Sequence, residues 1–201
     1  YNFPQTKMPI PDDYPYDNYV CLRSCSWGWS TWRNRWNKVN WTMEKFNIRT
    51  ARADETGTIL KFIKKLADYE KLSNEVEATE KTLYESIFVR HEAEVIFAEE
   101  NDEVVGFALF FHNFSTFVGR KGLYLEDLFV LPEKRGRGYG KALLQRLAQI
   151  ALERNCGRME WVCLDWNTPS INFYKSIGAT PLEDWTIYRL TEEKLKTFAE
   201  N

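Results

Sequence analysis

The chain has 201 residues, 44% of them hydrophobic and 28% charged, which is enough to bury one substantial core. Its formal net charge of −2 argues against a nucleic-acid or anionic-membrane partner, because either would favour a strongly basic chain. No apolar run reaches the roughly 18 residues of a membrane-spanning helix. The first residues also lack a basic segment followed by an apolar stretch, the pattern that would predict export.

The first 42 residues differ in composition from the rest. They contain five tryptophans, several prolines within residues 4–15, and no helical or strand periodicity. Tryptophan and arginine recur together in the string WGWSTWRNRWNKVNW, a pattern typical of segments that stack on single-stranded nucleic acid or lie at a membrane interface. We favour a simpler hypothesis, in which residues 1–42 are an extension that packs on the domain or has no role. The domain itself is predicted to cover residues 43–201.

A regular hydrophobic pattern begins near Phe46, and a helix is the first element considered in it. Asp54 is suited to cap this helix, and the pattern continues to about Glu70. Apolar residues recur there at the three- and four-residue spacing of one helix face. They are Ile59, Leu60, Ile63 and Leu66.

Three strands are predicted after this helix. The first two cover residues 95–99 and 104–111 and are joined by a tight turn at residues 101–102. The third, residues 123–131, is almost continuously apolar, which is typical of a central strand. Two carboxylates interrupt it, and they are conspicuous because burying a charge is costly. They are Glu126 and Asp127.

A basic, glycine-rich loop at residues 135–141 follows the third strand and leads into a helix. Backbone N–H groups can approach a diphosphate only where side chains do not intervene, so Gly136, Gly138 and Gly140 suit a pyrophosphate site. The loop also carries three positive charges. They belong to Arg135, Arg137 and Lys141. The motif alone fits a simple strand-to-helix connection equally well.

The rest of the chain predicts two helices and two strands. The helix after the loop ends near Asn155, and a second helix opens near Thr168 and stops before Gly178. Strands are predicted at residues 160–164 and 185–190. Because strands alternate with helices after one antiparallel pair, the pattern predicts an α/β domain of three layers.

The cysteines and histidines do not form a metal-binding pattern. The chain has four cysteines without a CxxC pair, and its two histidines are His91 and His112. We therefore predict no metal. Cys156 and Cys163 stand in helix-end and strand contexts where free core thiols are common, so we expect a reducing compartment, the cytoplasm.

Residues 135–140 match the Arg-x-x-Gly-x-Gly signature of the GNAT N-acetyltransferase superfamily. The flanking strings YLEDLFV and WNTPSINFYKSIGA resemble its diamine acetyltransferase branch, and the resemblance covers residues 46–190. It implies a three-layer αβα fold around a mixed, mainly antiparallel sheet with a splayed central parallel pair. It also implies acetyl-CoA as acetyl donor and a homodimer. The segment after Met43 is similar to the family's opening strand, so we expect translation to start there.

The resemblance also implies where the cofactor binds. The strand segment of Leu128, Phe129 and Val130 is expected to hydrogen-bond the pantetheine arm, with a backbone N–H of Phe129 or Val130 polarising the thioester carbonyl. The loop is expected to bind the pyrophosphate through Arg135, Gly136, Arg137, Gly138, Tyr139, Gly140 and Lys141. Asn167 and Ser170 match cofactor-contacting positions, although Asn167 fits a plain turn residue before a helix equally well.

Two residues are candidates for catalysis. By resemblance, Tyr174 would protonate the departing sulfur, and the alternative is that it only packs beside Phe173. Glu126 would deprotonate the amine directly or through water, because an aliphatic amine has a pKa near 10.4 and is protonated at neutral pH. The alternative for Glu126 is an ion pair with Arg120 or Arg135. Cys163 would be the thiol to test for an acetyl-enzyme, which the resemblance does not imply.

The acceptor is expected to be a small cationic amine held by acidic residues. The resemblance assigns this role to Tyr69, Glu70, Glu126, Asp127, Glu183 and Asp184. The string LDWN replaces the AEWN of polyamine members, and EKLSNEV is similar to thialysine-type members, so polyamine specificity is in doubt. Diamines, polyamines, thialysine and ornithine stay open. The alternative functions are acetylation of a peptide lysine and a non-catalytic CoA-binding module.

Overall fold

A computed structural model describes residues 46–200, so the predicted extension and the expected start at Met43 lie outside the described residues. The described chain forms a five-stranded sheet in which each strand lies beside the next in sequence order. The strands are β1 (Phe46–Thr50), β2 (Glu94–Glu100), β3 (Glu103–Ser115), β4 (Arg120–Val130) and β5 (Met159–Trp161). Neighbours pair antiparallel except β4 and β5, which are parallel. This arrangement confirms the predicted mixed, mainly antiparallel sheet.

Five α-helices accompany the sheet in residues 46–200. They are α1 (Thr56–Glu70), α2 (Glu80–Tyr84), α3 (Tyr139–Glu153), α4 (Thr168–Ser176) and α5 (Glu192–Ala199). A π-helical turn, Glu85–Val89, continues α2, and short 3₁₀ turns occur at Ala53–Glu55, Ser73–Glu75 and Pro132–Lys134. Within this part of the chain no helix is both long and apolar enough to cross a bilayer.

The core consists of two apolar layers, one on each face of the sheet. Helix α3 covers one face, where Leu143 and Leu147 are fully buried with strand residues such as Leu125. Helix α1 covers the other face, where Ile59 and Phe62 pack with aromatic strand side chains. Each fully buried side chain of this size contributes about 1.5–3 kcal/mol relative to its exposed state. The predicted α/β three-layer architecture is therefore confirmed.

The prediction for α1 is right about its end and wrong about its cap. The helix ends at Glu70, but it begins at Thr56, after a 3₁₀ turn that contains Asp54. Glu55 occupies the N-cap position, and its carboxylate binds Arg49 instead, at 2.7 and 2.8 Å. The buried stripe likewise centres on Ile59, Phe62 and Leu66, while Leu60 and Ile63 are only half-buried.

The middle of the chain follows the prediction closely. Asn101 and Asp102 form the turn between β2 and β3 with φ angles of 52° and 64°, a left-handed conformation that Asn and Asp tolerate. The strand predicted at residues 123–131 is β4, which begins three residues earlier. Helix α3 buries one apolar face, and Asn155, near which the helix is predicted to end, adopts a φ of 56° just after its end.

Of the two C-terminal strand predictions, the first is partly right and the second is wrong. The strand expected at residues 160–164 stops at Trp161, because β5 leaves β4 after three paired residues. Residues 185–190 are irregular instead of a strand, and no described strand lies beside them. Their large side chains are exposed, with Trp185 at 73% and Tyr188 at 91%. The alternating apolar pattern therefore lacks the neighbouring strand that would make it a β-strand.

Candidate active site

The site begins where the parallel strands β4 and β5 separate. They pair only from Leu123 to Leu125, opposite Met159 to Trp161. Beyond this point β4 continues to Val130, still paired with β3, whereas no strand among residues 46–200 pairs with its other edge. Backbone groups of an unpaired edge need hydrogen-bond partners, and an extended ligand can supply them as an added strand does. This edge contains the predicted pantetheine-binding residues.

A β-bulge lies at the same point of β4. The register with β3 shifts so that Leu125 faces Phe110 while Asp127 faces Leu109, which leaves Glu126 without an opposite residue. Bulges of this kind bend a strand and redirect its side chains. Glu126 is exposed, and Asp127 is half-buried on the α1 face of the sheet. The two neighbouring carboxylates therefore occupy different environments.

The pKa of Asp127 is strongly raised. Burial is the largest cause, and together with the negative charges of Glu126 and Glu70 it raises this pKa to about 7. Burial also raises the pKa of Glu70, which ends α1. Carboxylates with raised pKa values that face one another are typical of functional sites, because they attract cations and exchange protons near neutral pH.

Tyr174 belongs to the same electrostatic neighbourhood. Its pKa is raised to about 12, mainly by burial and to a smaller extent by the neighbouring Cys163 and Glu70. Its ring packs 5.1 Å from that of Trp161 and 5.6 Å from that of Phe173. The packing that we considered as an alternative role is therefore present, and it holds a protonated phenol beside the acidic residues. The structure thus brings together Glu70, Glu126, Asp127 and Tyr174.

The glycine-rich loop has the backbone geometry of an anion-binding turn. Gly136 and Gly138 adopt φ angles of 79° and 95°, a region that favours glycine, and Gly138 is the N-cap of α3. The N–H groups in the first turn of α3 lack intrahelical acceptors, as at every helix start. With exposed basic side chains alongside, this helix start is suited to bind a pyrophosphate.

Arg135 is exposed, but its side chain lies against β4 and α1. Its Nε donates to the Val130 carbonyl oxygen at 3.0 Å, and its guanidinium lies 4.6 Å from the Tyr69 ring centre and 5.3 Å from that of Phe129. Arg120 donates to Asn155 Oδ1 at 2.9 Å. Both arginines that we considered as partners of Glu126 therefore bind other groups.

The loop is anchored by Glu100, a residue that sequence reasoning missed. Glu100 is 3% exposed and accepts hydrogen bonds from the hydroxyl of Tyr139 and from Lys134 Nζ, while Arg137 Nη1 lies 3.7 Å from it. Tyr139 is 1% exposed, so only its backbone can contact a cofactor. A glutamate beside a tight turn resembles a surface residue, and the sequence contains no signal that distinguishes it.

Asn167 and Ser170 connect the site to the start of α4. Asn167 is 7% exposed, and its Oδ1 accepts hydrogen bonds from Ser170 N at 3.4 Å and from the Tyr69 hydroxyl at 3.2 Å. The residue is therefore the N-cap of the helix that carries Tyr174. Its side-chain oxygen is occupied by these two contacts.

Glu183 and Asp184 are not brought into this group. Both are exposed in the irregular segment between α4 and α5. The charges that shift the pKa values of Asp127 and Tyr174 belong to Glu70, Glu126 and Cys163, and not to this pair. Among the described residues, no three His, Cys, Asp or Glu side chains converge as a metal site would require.

Comparison with known proteins places this site in context. Residues 60–179 match the acetyltransferase (GNAT) family. A thialysine N-epsilon-acetyltransferase from Mus musculus is 35% identical over 169 residues, which cover 78% of this chain and 99% of the mouse protein. An L-ornithine N5-acetyltransferase from Arabidopsis thaliana is 43% identical over 97 residues, 48% of this chain and 42% of that protein. An integron cassette protein from V. cholerae has a similar structure, with a TM-score of 0.64, 31% identity, and coverage of 78% and 98% of the two chains.

Proposed function

This chain belongs to the GNAT acetyltransferase family, and we propose that it transfers the acetyl group of acetyl-CoA to a primary amine of a small cationic acceptor. The observation that carries the proposal is the grouping of Glu70, Asp127 and Tyr174 beside the unpaired edge of β4. Such a grouping supplies both requirements of the acceptor half-site, negative charge for a cation and groups that exchange protons.

The cofactor would lie along β4 and across the start of α3. The edge of β4 at Leu128, Phe129 and Val130 would offer backbone partners to the pantetheine arm, apart from the Val130 carbonyl oxygen, which accepts from Arg135. A backbone N–H of Phe129 or Val130 would stabilise the oxyanion. The loop from Arg135 to Lys141 would bind the pyrophosphate with its glycine backbone and basic side chains, and with the backbone alone at Tyr139. Bound in this way, acetyl-CoA would have its thioester carbon close to the acidic residues of β4.

Transfer would proceed by direct attack of the amine on the thioester carbon. The ammonium form first loses a proton to a carboxylate, because at pH 7 only about one amine in 2,500 is neutral at a pKa near 10.4. The new C–N bond forms, the C–S bond breaks, and Tyr174 donates its proton to the leaving thiolate. The acylated nitrogen then loses a second proton, which restores the Tyr174 phenol. The first proton is released from the carboxylate to solvent, so that one proton in total ends on CoA and one in solvent.

Two carboxylates compete for the role of proton acceptor. Glu126 is exposed at the bulge and can accept the proton directly or through water. Asp127 has a pKa of about 7, which suits a base at neutral pH because such a base is both available and strong enough. We retain Glu126 as a catalytic residue and add Asp127 as the second candidate.

The acceptor would be a compact diamine or diamino acid. The mouse and Arabidopsis relatives are named for thialysine and L-ornithine, each an amino acid with a terminal amine. The half-buried acidic pair of Glu70 and Asp127 supports an acceptor with a second positive charge. A peptide lysine presents the same amine, and it would have to reach the same acidic group.

The first experiment measures CoA release with acetyl-CoA and a panel of thialysine, ornithine, putrescine, spermidine and a lysine peptide. We expect turnover of a small amine that falls about 100-fold or more in Tyr174→Phe, as the loss of a general acid predicts. Tyr84→Phe is the matched control, because Tyr84 is 45% exposed and lies outside the site. If the protein binds acetyl-CoA and turns over none of these amines, a non-catalytic CoA-binding module replaces this proposal.

We also propose a cytoplasmic homodimer in which residues 43–201 are the catalytic domain. Cys156 and Cys163 are free thiols, which suits a reducing compartment. Exposed apolar side chains of residues 182–190, including Trp185 and Ile187, support burial against a second copy. Light scattering that gives a monomer would reject the dimer. Loss of turnover on removal of residues 1–42 would reject the domain assignment.

A further inference from the structure

Tyr69 contacts both sides of the gap that opens between β4 and β5. It lies in the last turn of α1, and its ring centre is 6.4 Å from that of Phe129 on β4 and 5.9 Å from that of Trp166, beyond β5. The same ring lies 4.6 Å beneath the guanidinium of Arg135. One side chain therefore joins helix α1, strand β4, the glycine-rich loop and the segment before α4.

The hydroxyl of Tyr69 makes a separate contact. It donates to Asn167 Oδ1 at 3.2 Å, the oxygen that also accepts from Ser170 N and caps α4. Asn167 is nearly buried, so the orientation of its amide depends on the few partners available there. Helix α4 carries Tyr174, and the Tyr69 hydroxyl therefore links the start of this helix to α1.

We propose that Tyr69 is a positioning residue that couples the two halves of the acetyl-CoA site. Its ring holds the guanidinium of Arg135 at the start of the loop, where the pyrophosphate is expected. Its hydroxyl positions the start of α4 and thereby the phenol of Tyr174. The proposal rests on the acetyl-transfer function proposed above. The sequence predicts that Tyr69 contacts the acceptor, and the positioning role is additional to that prediction, because its ring and its hydroxyl are both engaged within the protein.

The two contacts can be separated by two substitutions at the same position. Tyr69→Phe keeps the ring and removes the hydroxyl, so we expect kcat to fall about tenfold, the size of one hydrogen bond, while KM for acetyl-CoA stays within about twofold. Tyr69→Leu removes the aromatic face beneath Arg135, so we expect the Kd for CoA to rise about fivefold in addition, as a cation–π contact predicts. A merely structural residue would not divide kcat from KM in this way.

A double-substitution cycle tests the link to Asn167. If the Tyr69 hydroxyl acts through Asn167, the kcat loss in Tyr69→Phe combined with Asn167→Ala will be smaller than the product of the two single losses. Losses that multiply would overturn the coupling. Unchanged kcat in Tyr69→Phe would overturn the role of the hydroxyl, and unchanged CoA affinity in Tyr69→Leu would overturn the role of the ring.

Calorimetric titration with CoA keeps this test distinct from that of the proposed function. It needs no acceptor, so the ring contact is judged even if no amine in the panel is acetylated. Melting temperatures are recorded for each variant, and Tyr84→Phe, at a side chain 45% exposed, is the control. If CoA affinity and kcat fall only in step with melting temperature, Tyr69 is a packing residue and the proposal is wrong.

Discussion

The hydroxyl of Tyr139 donates a hydrogen bond to the carboxylate of Glu100 and thereby joins the first residue of α3 to the last residue of β2. The same carboxylate accepts from Lys134 and lies 3.7 Å from Arg137. A charge so deeply buried is tolerated only because several donors surround it. The conformation of the loop therefore depends on a residue outside the loop.

Replacing Tyr139 by Phe should expose this dependence. The ring keeps its place in the core, but Glu100 loses a buried donor, so we expect the free energy of unfolding to fall by about 1.5–3 kcal/mol, the range for hydrogen bonds to charged groups. Urea unfolding measures it. Tyr84→Phe, at a side chain 45% exposed, should change stability by less than about 0.5 kcal/mol. Equal stability of Tyr139→Phe and the parent would mean that the bond contributes nothing.

Gly138 and Gly140 form a second matched pair in the same loop. Gly138 has a φ of 95°, so Gly138→Ala forces a side chain into left-handed backbone and should destabilise the protein by about 1–2 kcal/mol. Gly140 lies within α3, and an added Cβ would sit 3.9 Å from Val130 Cγ2, an ordinary contact. Gly140→Ala should therefore leave stability unchanged or raise it slightly. Thermal melting of both variants measures this difference. A lower melting temperature for Gly140→Ala than for Gly138→Ala would contradict the strain argument.

The sequence predicts the parts of the molecule that local rules determine. The glycines of the loop, the turn at Asn101 and Asp102, and the buried face of α3 all follow from backbone preference or helical spacing. Residues at the site whose role depends on distant partners escape such rules. Glu100 and the hydroxyl of Tyr69 acquire their roles only when β2 meets α3 and α1 meets α4.

Strand pairing explains the remaining differences. The bulge at Glu126 is a property of the register between β3 and β4, and neither strand alone encodes it. The early end of β5 and the irregular segment at residues 185–190 likewise depend on which neighbour each strand finds. An apolar or alternating run predicts what a strand would look like, but pairing decides whether it forms.

The Arg49–Glu55 pair predicts how stability responds to acid. The hydrogen bonds from Arg49 lower the pKa of Glu55 from 4.5 to about 2. A carboxyl whose folded pKa is depressed contributes stability above its unfolded pKa and loses it as pH falls. The parent should therefore lose stability between about pH 4.5 and 2 more steeply than Glu55→Gln, in urea titrations at several pH values. Asp54→Asn, at the exposed neighbour, is the control, and parallel curves for the parent and Glu55→Gln would contradict the prediction.

The pH dependence of turnover should identify the proton acceptor. If Asp127 is the base, kcat/KM rises with pH through about 7, because its pKa is raised from 3.8 to about 7 by burial and then by Glu126 and Glu70, and the base must be deprotonated to act. Asp127→Asn should abolish this acid limb together with most of the activity. Glu126→Gln removes a neighbouring negative charge, so the limb should move to lower pH while activity is retained.

The reverse pattern would assign the step to Glu126. In that case Glu126→Gln removes the activity, and Asp127→Asn keeps both an acid limb and substantial turnover. The two side chains are adjacent on one bulge and differ in burial. Each substitution replaces a carboxylate by a neutral amide of the same size, so the two variants can be compared directly. Burial is the larger cause of the Asp127 shift, so the limb in Glu126→Gln should move only part of the way toward the ordinary aspartate pKa.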